Sequence, residues 1–481
     1  MAVEQSLKLN IFEIESNFLT GNSGENTDNT EERNQLVDLR SGAPLIEYRE
    51  SIFSPFVEVT AYLVDTGNTV QSEDGSDSAI GLLEAGYCQG TEKVFFQIED
   101  SNGIKINLAN QDGEDLRLAS VTSTRQGFQN QTFIITAVSK EAFDNTLLDN
   151  RCTMQYSGRI SDIVSGILQH DLKSAKWGGT YFDETMNEYH EWGNGRYPFE
   201  MLLDLQQLAI PIIQTEDADS ALGKTAGYLF WQTSERYHFR SLDKLFDVTD
   251  KRIKRYIENK KAEPNLPEGF QGKILWSTST RSIDALAQFE SGARGGRLYV
   301  YNPLKESEEQ CYVKDLSAKD SGNGIIAGKL LPRINDEYRD ENGDPVLTMR
   351  LTSRAAVGQT VKGNETIEMQ VEKTGDPNYE VQNIFLQATQ NYRQKMSVSI
   401  QITIAADFSL HAGDLIYCEF EEMTTSKTVR GSRFRDSGIY MIADLCHYGD
   451  VTKSFTGLHL VRDSFGAKVT EEVQAFIDDT G

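Results

Sequence analysis

The chain has 481 residues, 47 Lys and Arg against 73 Asp and Glu, and a formal net charge of −26. That length allows about three domains, and the acidity argues against a protein that grips nucleic acid by its phosphates, which needs basic stripes. No run of about 18 apolar residues occurs, so no membrane-spanning helix is expected, and the first eight residues hold no basic segment leading into an apolar one, so no signal peptide is expected.

In chain order, residues 20–34 (TGNSGENTDNTEERN) are polar and acidic and predict a flexible loop. Strand signals follow. Residues 56–64 (FVEVTAYLV) lie between Pro55 and Gly67, and 94–98 and 104–108 flank Asp100-Ser101-Asn102-Gly103, a hairpin turn that tolerates positive φ. Segments 116–122 and 132–138 continue the series and, with the N-terminal extension, predict a first, closed or sandwich-like β-domain over 1–155. The period then changes. Ile160, Ile163, Val164, Ile167 and Leu168 mark one helix face. A second helix opens at Pro198, which suits a first helical turn, and carries Phe199, Leu202, Leu203 and Leu205. Strands at 210–214, 227–233 and 237–241 make 156–265 a small α/β unit.

Residues 266–325 read as strands returning to or linking the two β-domains, and 326–468 as the second β-domain. A helix after Asp376-Pro377 carries Val381, Ile384, Phe385 and Ala388 on one face. Val398, Ile400, Ile402 and Ile404 alternate with polar residues, which predicts a strand with one buried face. The fold class expected is β-rich α+β: two β-domains with an α/β unit inserted between them. Residues 469–481 form a C-terminal tail. Val473, Phe476 and Ile477, with Val469, make a short amphipathic stripe too brief to be a stable helix alone, so they are expected to dock on a partner or fold back.

Chemistry is mostly refused. Gly223-Lys224-Thr225 ends like a phosphate loop, but the glycine that should stand five residues earlier is Ala218. His190-Glu191-Trp192-Gly193-Asn194 has Asn194 where a zinc protease motif needs its second histidine. The acidic turn 340–344 meets Pro345 where a calcium loop needs glycine, and Leu351 where it needs glutamate. Five scattered cysteines (Cys88, Cys152, Cys311, Cys418, Cys446) suit neither a disulfide framework nor zinc, and read as reduced thiols. Six histidines show no ligand spacing. Trp177 and Trp192 read as anchors of the α/β unit, with a carbohydrate-binding module as the other reading. No catalytic residue, cofactor or metal is expected.

Taken together, segments 54–65 (SPFVEVTAYLVD), 158–168 (GRISDIVSGIL), 194–209 (NGRYPFEMLLDLQQLA), 227–245 (GYLFWQTSERYHFRSLDKL) and 291–304 (SGARGGRLYVYNPL), then 410–414 (LHAGD), 438–447 (GIYMIADLCH) and 456–463 (TGLHLVRD), resemble the central hub family of T-even-type contractile phage tail baseplates. The resemblance lies in order and spacing over roughly residues 36–465, and the N-terminal stretch has no counterpart in it. It implies two tail-tube-like barrels per subunit and a homotrimer that joins a threefold spike to a sixfold tail tube. Its partners would be the tail spike protein, tail tube or tube-initiator proteins and baseplate wedge proteins. Viral DNA would pass through the bore without specific binding, in a virion assembled in the host cytoplasm. The hub of a related contractile injection or secretion machine is the alternative within this class. A tail-associated cell-envelope hydrolase is the alternative outside it.

Overall fold

The computed structural model describes residues 7–15, 36–67, 70–71, 79–83, 85–109, 116–126, 130–212, 225–247, 253–258, 272–282, 285–290, 295–302, 307–314, 335–339, 341, 348–355, 378, 381–420, 436–450 and 453–466. The loop read over 20–34 and the tail 469–481, with Val473, Phe476 and Ile477, lie outside these residues.

The first unit is an antiparallel sheet. Its strands are β1 (Lys8–Glu15), β2 (Leu36–Asp38), β3 (Leu45–Ser51) and β4 (Glu58–Asp65), then β7 (Lys93–Glu99), β8 (Lys105–Leu108), β9 (Leu116–Gln126) and β10 (Asn130–Ser139). They run in the order β2-β1-β7-β9-β10-β4-β3, with β8 added to β7. Two short strands, β5 (Val70–Gln71) and β6 (Ala79–Ile80), pair beside it. Alternation decides the inner face: Val59, Ala61 and Leu63 of β4, Val94, Phe96 and Ile98 of β7, and Phe133 and Ile135 of β10 share one core.

The second unit is a closed six-stranded barrel. It comprises β15 (Lys254–Glu258), β16 (Lys273–Ser282), β20 (Val398–Ala405), β21 (Leu415–Glu419), β22 (Gly438–Gly449) and β23 (Ser454–Arg462). The pairings run β21-β15-β16-β20-β23-β22 and return to β21, which leaves this ring without an edge. Ile400, Ile402, Ile404, Leu458 and Leu460 fill it, as the alternation of β20 requires.

The two units are one continuous sheet. β22 is twelve residues long; its first part pairs with β21 and its second part, Asp444–Gly449, with β3. β3 pairs with β4 on its other side. Here the structure differs from the boundaries read in sequence. β15 comes from the stretch assigned to the α/β unit, while β16 comes from the stretch read as strands returning to or linking the two β-domains. Conversely, β19 (Thr348–Ala355) leaves the second barrel for a three-stranded sheet with β17 (Gly295–Asn302) and β18 (Ser307–Lys314). The physical reason is that β15 pairs parallel with both neighbours. Parallel pairs need long crossovers, which local periodicity does not reveal.

The intervening unit holds two antiparallel strand pairs, β11 (Gln155–Arg159) with β12 (Glu188–Trp192) and the hairpin β13 (Tyr228–Gln232) with β14 (Tyr237–Ser241). Helix α1 (Lys140–Asp144) leads in, followed by α2 (Ile160–Gly166), α3 (Pro198–Leu205) and α4 (Leu242–Leu245). Ile160, Ile163, Val164, Ile167 and Leu168 are all buried in its core, as are Phe199, Leu202 and Leu205; Met201 takes the buried place expected of Leu203, which is half-buried. Instead of a strand at 210–214, the described part shows a single bridge from Pro211 to Thr185. Further on lie α5 (Ala285–Glu290) and α6 (Val381–Lys395). Helix α6 lies against β17 and β18. Its Ile384 and Ala388 also pack with Ala226 of the α/β unit. The cap read at Asp376-Pro377 is outside the described residues.

Candidate functional site

The most constrained polar cluster sits where the three units meet. On β3, alternation turns Ile46, Tyr48 and Glu50 inward, so a carboxylate enters the interior with only 2% of the residue exposed. Burial of a charge is tolerated only with partners, and Glu50 has five contacts. Tyr48 donates its hydroxyl at 2.6 Å, Ser234 its N–H at 3.0 Å and Ala412 its N–H at 3.0 Å, while His411 Nδ1 lies 3.1 and 3.3 Å from the two oxygens. Ser234 belongs to the β13–β14 turn and His411-Ala412 to the turn before β21. One carboxylate thus ties the first sheet, the α/β unit and the barrel.

Electrostatics follow from that geometry. Burial pushes the Glu50 carboxyl up, but the His411 charge and the hydrogen bonds outweigh it and hold the group at about 2. Burial pushes His411 down, and the Glu50 charge more than reverses this, to about 9. Two further histidines stand near the pair. Burial drives His238 to about 3 and His447 to about 4, so both are neutral at pH 7. His238 stacks on Trp231 with ring centroids 4.7 Å apart and shares a 3.0 Å hydrogen bond with the Thr233 hydroxyl. His447 stacks on Tyr48 and bonds the Thr456 hydroxyl at 2.8 Å.

The turn 411–414 is fixed from both sides. Trp231 Nε1 donates to the Ala412 carbonyl at 3.1 Å, and Gly413 N–H to that of Ile442 at 2.8 Å. Gly413 has φ +91°, and a Cβ there would lie 2.6 Å from Trp231 Cζ2. A second buried charge, Lys395 of α6, sits between Asp243 (3.8 Å) and Asp463 (3.7 Å) and ties the helix to the α/β unit and to the residue that follows the barrel's last strand.

Beside the junction, a cavity of about 490 Å³ opens on the outer face of β3, β20, β22 and β23. Within it Ser51 Oγ donates to Asp444 Oδ1 at 2.5 Å, and His459 Nδ1 lies 2.6 Å from Asp444 Oδ2. The three residue types are those of a hydrolytic triad, but the order is wrong. A nucleophilic serine must bond the imidazole nitrogen remote from the carboxylate; here serine and histidine both bond the carboxylate.

The motifs refused in sequence take other roles. Thr225 donates its hydroxyl and, at 3.1 Å, its N–H to Asp243; Gly223 and Lys224 are outside the described residues. His190 is exposed on β12, with its backbone N–H and carbonyl bonded to the Asn378 side chain, and Asn194 lies in the following turn with φ +51°. The turn at 340–344 falls almost wholly outside the described residues. Trp177 packs on the α/β core, whereas Trp192 is 59% exposed and is not among the side chains packed on that core. Cys88, Cys152 and Cys418 are buried free thiols and Cys446 is half-buried; burial raises Cys88 to about 12 and Cys446 to about 11. Among the described residues no group of three or more His, Cys, Asp or Glu could hold a metal ion, and no helix is long and apolar enough to cross a membrane.

The sequence reading missed the Glu50 cluster, whose members are scattered along the chain. One signal was present: a glutamate in the inward register of a strand.

The molecule is thus a strand-rich α+β protein whose closed barrel and first sheet share one wall. Its structural neighbours are phage tail proteins and components of related secretion machines. It is similar to the 43 kDa tail protein of prophage MuSo2 from Shewanella oneidensis (8% identity, TM-score 0.47, 96% of this chain and 99% of that one). It is also similar to the tail protein from Neisseria meningitidis MC58 (6%, 0.49, 96% and 97%). A third likeness is to an E. coli component of the type VI secretion system (8%, 0.31, 89% and 76%). At such identities no residue role or activity carries over. No family model and no curated protein matches the sequence.

Proposed function

We propose that this chain is a structural subunit of a contractile-tail baseplate, its central hub. In this reading three copies join a threefold spike to a sixfold tail tube and surround part of the DNA exit channel in the virion. The subunit performs no catalytic step. Its partners are the spike, the tube or tube-initiator proteins and the wedge proteins.

The observation that carries the reading is the shared wall: β3 pairs with β4 on one side and β22 on the other. A load-bearing adaptor needs its two β-units to move as one body. A sheet continuous through both, locked by the buried Glu50 cluster, supplies that stiffness. The order of the hub-like segments along the sequence supports the same reading. Val473, Phe476 and Ile477 are the proposed docking stripe toward a neighbouring subunit or the spike. The net charge of −26 keeps DNA from adhering during passage.

The test is mass measurement of the purified protein in solution. A species of three times 54.0 kDa supports the hub; a strict monomer at high concentration overturns it. Deleting 469–481 should leave the monomer fold intact and weaken assembly with the spike.

A further inference from the structure

We propose that a strap on the α/β unit, residues 145–155 against 192–199, is a docking surface for an apolar segment with basic flanks, carried by a partner other than a second copy of this chain. The proposal does not depend on the hub reading.

The two segments are laced together. Phe199 N–H donates to Asn145 Oδ1 at 2.8 Å. Cys152 N–H donates to the Arg196 carbonyl at 3.1 Å, Gly195 N–H to that of Cys152 at 2.8 Å, and Gly193 N–H to that of Met154 at 2.9 Å. This rigid strap carries five large apolar side chains in water: Leu148 at 82% exposure, Trp192 at 59%, Met154 at 54%, Leu147 at 50% and Tyr197 at 40%. They are five of the thirteen exposed large hydrophobics among the described residues, gathered in two short segments. Single exposed apolar residues need no explanation, but a contiguous set marks an interaction site. The composition points the same way, since Trp, Tyr, Met and Arg are enriched in interface cores. The Arg151 guanidinium stands 3.3 Å from the Tyr197 ring centroid, with Nη1 donating to the Gly195 carbonyl, so the tyrosine is held in place before any partner arrives.

Charge selects the occupant. Around the strap stand four carboxylates, Asp149, Glu191, Glu200 and Asp204, against two guanidiniums, Arg151 and Arg196. Arg196 is already engaged by Glu191 at 2.7 Å and Asp204 at 3.2 Å. Asp149 and Glu200 are exposed. A second copy presenting this same strap would set one acidic rim against another, like charge against like. A basic partner has the complementary sign and gains steering as well.

The probes are an amphipathic leucine–lysine peptide and its leucine–glutamate counterpart, titrated calorimetrically into the full chain. The leucine–lysine peptide should bind and the leucine–glutamate peptide should not. Leu148→Ser with Trp192→Ser should weaken binding by about tenfold or more, the loss of one or two anchor residues. Trp276→Ser should change nothing, because that tryptophan is 75% exposed on β16 of the barrel. Asp149→Lys with Glu200→Lys should move the preference toward the glutamate peptide, and decides the matter should the first variant melt abnormally. Equal affinity for the two peptides, or unchanged affinity in both variants, overturns the proposal. So does a lower oligomer mass in the Leu148→Ser, Trp192→Ser variant, which would assign the strap to a second copy.

Discussion

His411 Nδ1 lies 3.1 Å from Glu50 Oε1 although the two residues are 361 positions apart. Each sets the other's titration: the carboxylate holds the imidazole to about 9, and the imidazolium helps hold the carboxyl at about 2. The pair is the chemical form of the joint between the first sheet and the barrel, and it makes stability depend on pH.

The signs can be worked out group by group. His411 has a raised folded pKa, so its stabilisation is complete below its ordinary 6.5 and is lost as pH climbs through 9. Glu50 has a depressed one, so its stabilisation is complete above 4.5 and is lost as pH falls toward 2. His238 and His447 stay neutral in the fold, to about 3 and 4, while the unfolded chain protonates them from 6.5 downward. Each therefore withdraws up to about 1.4 kcal/mol per pH unit below 6.5. Thermal unfolding midpoints should peak near pH 6.5 and fall more steeply on the acid side. In Glu50→Gln the alkaline decline between 6.5 and 9 should flatten while the acid decline persists. An undiminished alkaline decline in that variant would show that the pair is not its source.

Gly413 and Trp231 make a tighter test of the same joint. Gly413→Ala places a methyl 2.6 Å from the indole in a backbone region unfavourable to side chains. The expected loss is about 2–4 kcal/mol from strain and overpacking. Trp231→Phe removes the clashing ring atoms and also the bond to the Ala412 carbonyl. The double variant should therefore be less destabilised than the two single losses added together, measured by urea unfolding. Simple additivity would sink the contact argument.

Much of this architecture was legible in the sequence, and the reason is local. Alternation in β4, β10 and β20 and the helix stripe of α2 each report which side meets the core, and these faces are buried as the patterns require. What was not legible was pairing at a distance. Nothing in residues 254–258 or 273–282 says that they close a ring with the strands after residue 397: β15 has parallel neighbours, and β16 meets its antiparallel partner β20 only across a long intervening stretch, so neither leaves a hairpin signal. The Glu50 cluster was hidden for the same reason. Its glutamate and histidines look like surface residues until β3, the 233–236 turn and the 411–414 turn are brought together. Trp192, read as an anchor of the α/β unit, instead ends β12 and faces water.

Lys395 should be the least replaceable residue of α6. Its ammonium is 2% exposed and stands between two carboxylates with no exposure at all. Lys395→Met leaves Asp243 and Asp463 buried without it, a loss of about 3–5 kcal/mol, a large share of an ordinary domain's stability. Adding Asp463→Asn should restore part of the loss, because one uncompensated charge is then removed. Chemical denaturation of the single and double variants checks both statements; a double variant weaker than the single one would show that the lysine does not serve these two acids.

The barrel's inner face gives the last prediction. Ile400 is 1% exposed and packs among Ile402, Leu458 and Leu460, while its neighbour Gln401 is exposed on the other face of β20. Ile400→Asp would bury an unpaired carboxylate, at several kcal/mol, comparable with the stability of a whole domain. The variant should be insoluble or unfolded at 25 °C, whereas Gln401→Glu, an exchange of an exposed side chain opposite His459, should stay soluble and folded. Circular dichroism and melting curves on the pair read this directly. A soluble Ile400→Asp protein with normal melting would mean that β20 presents its other face to the core, and with it that the ring of six strands is wrongly registered.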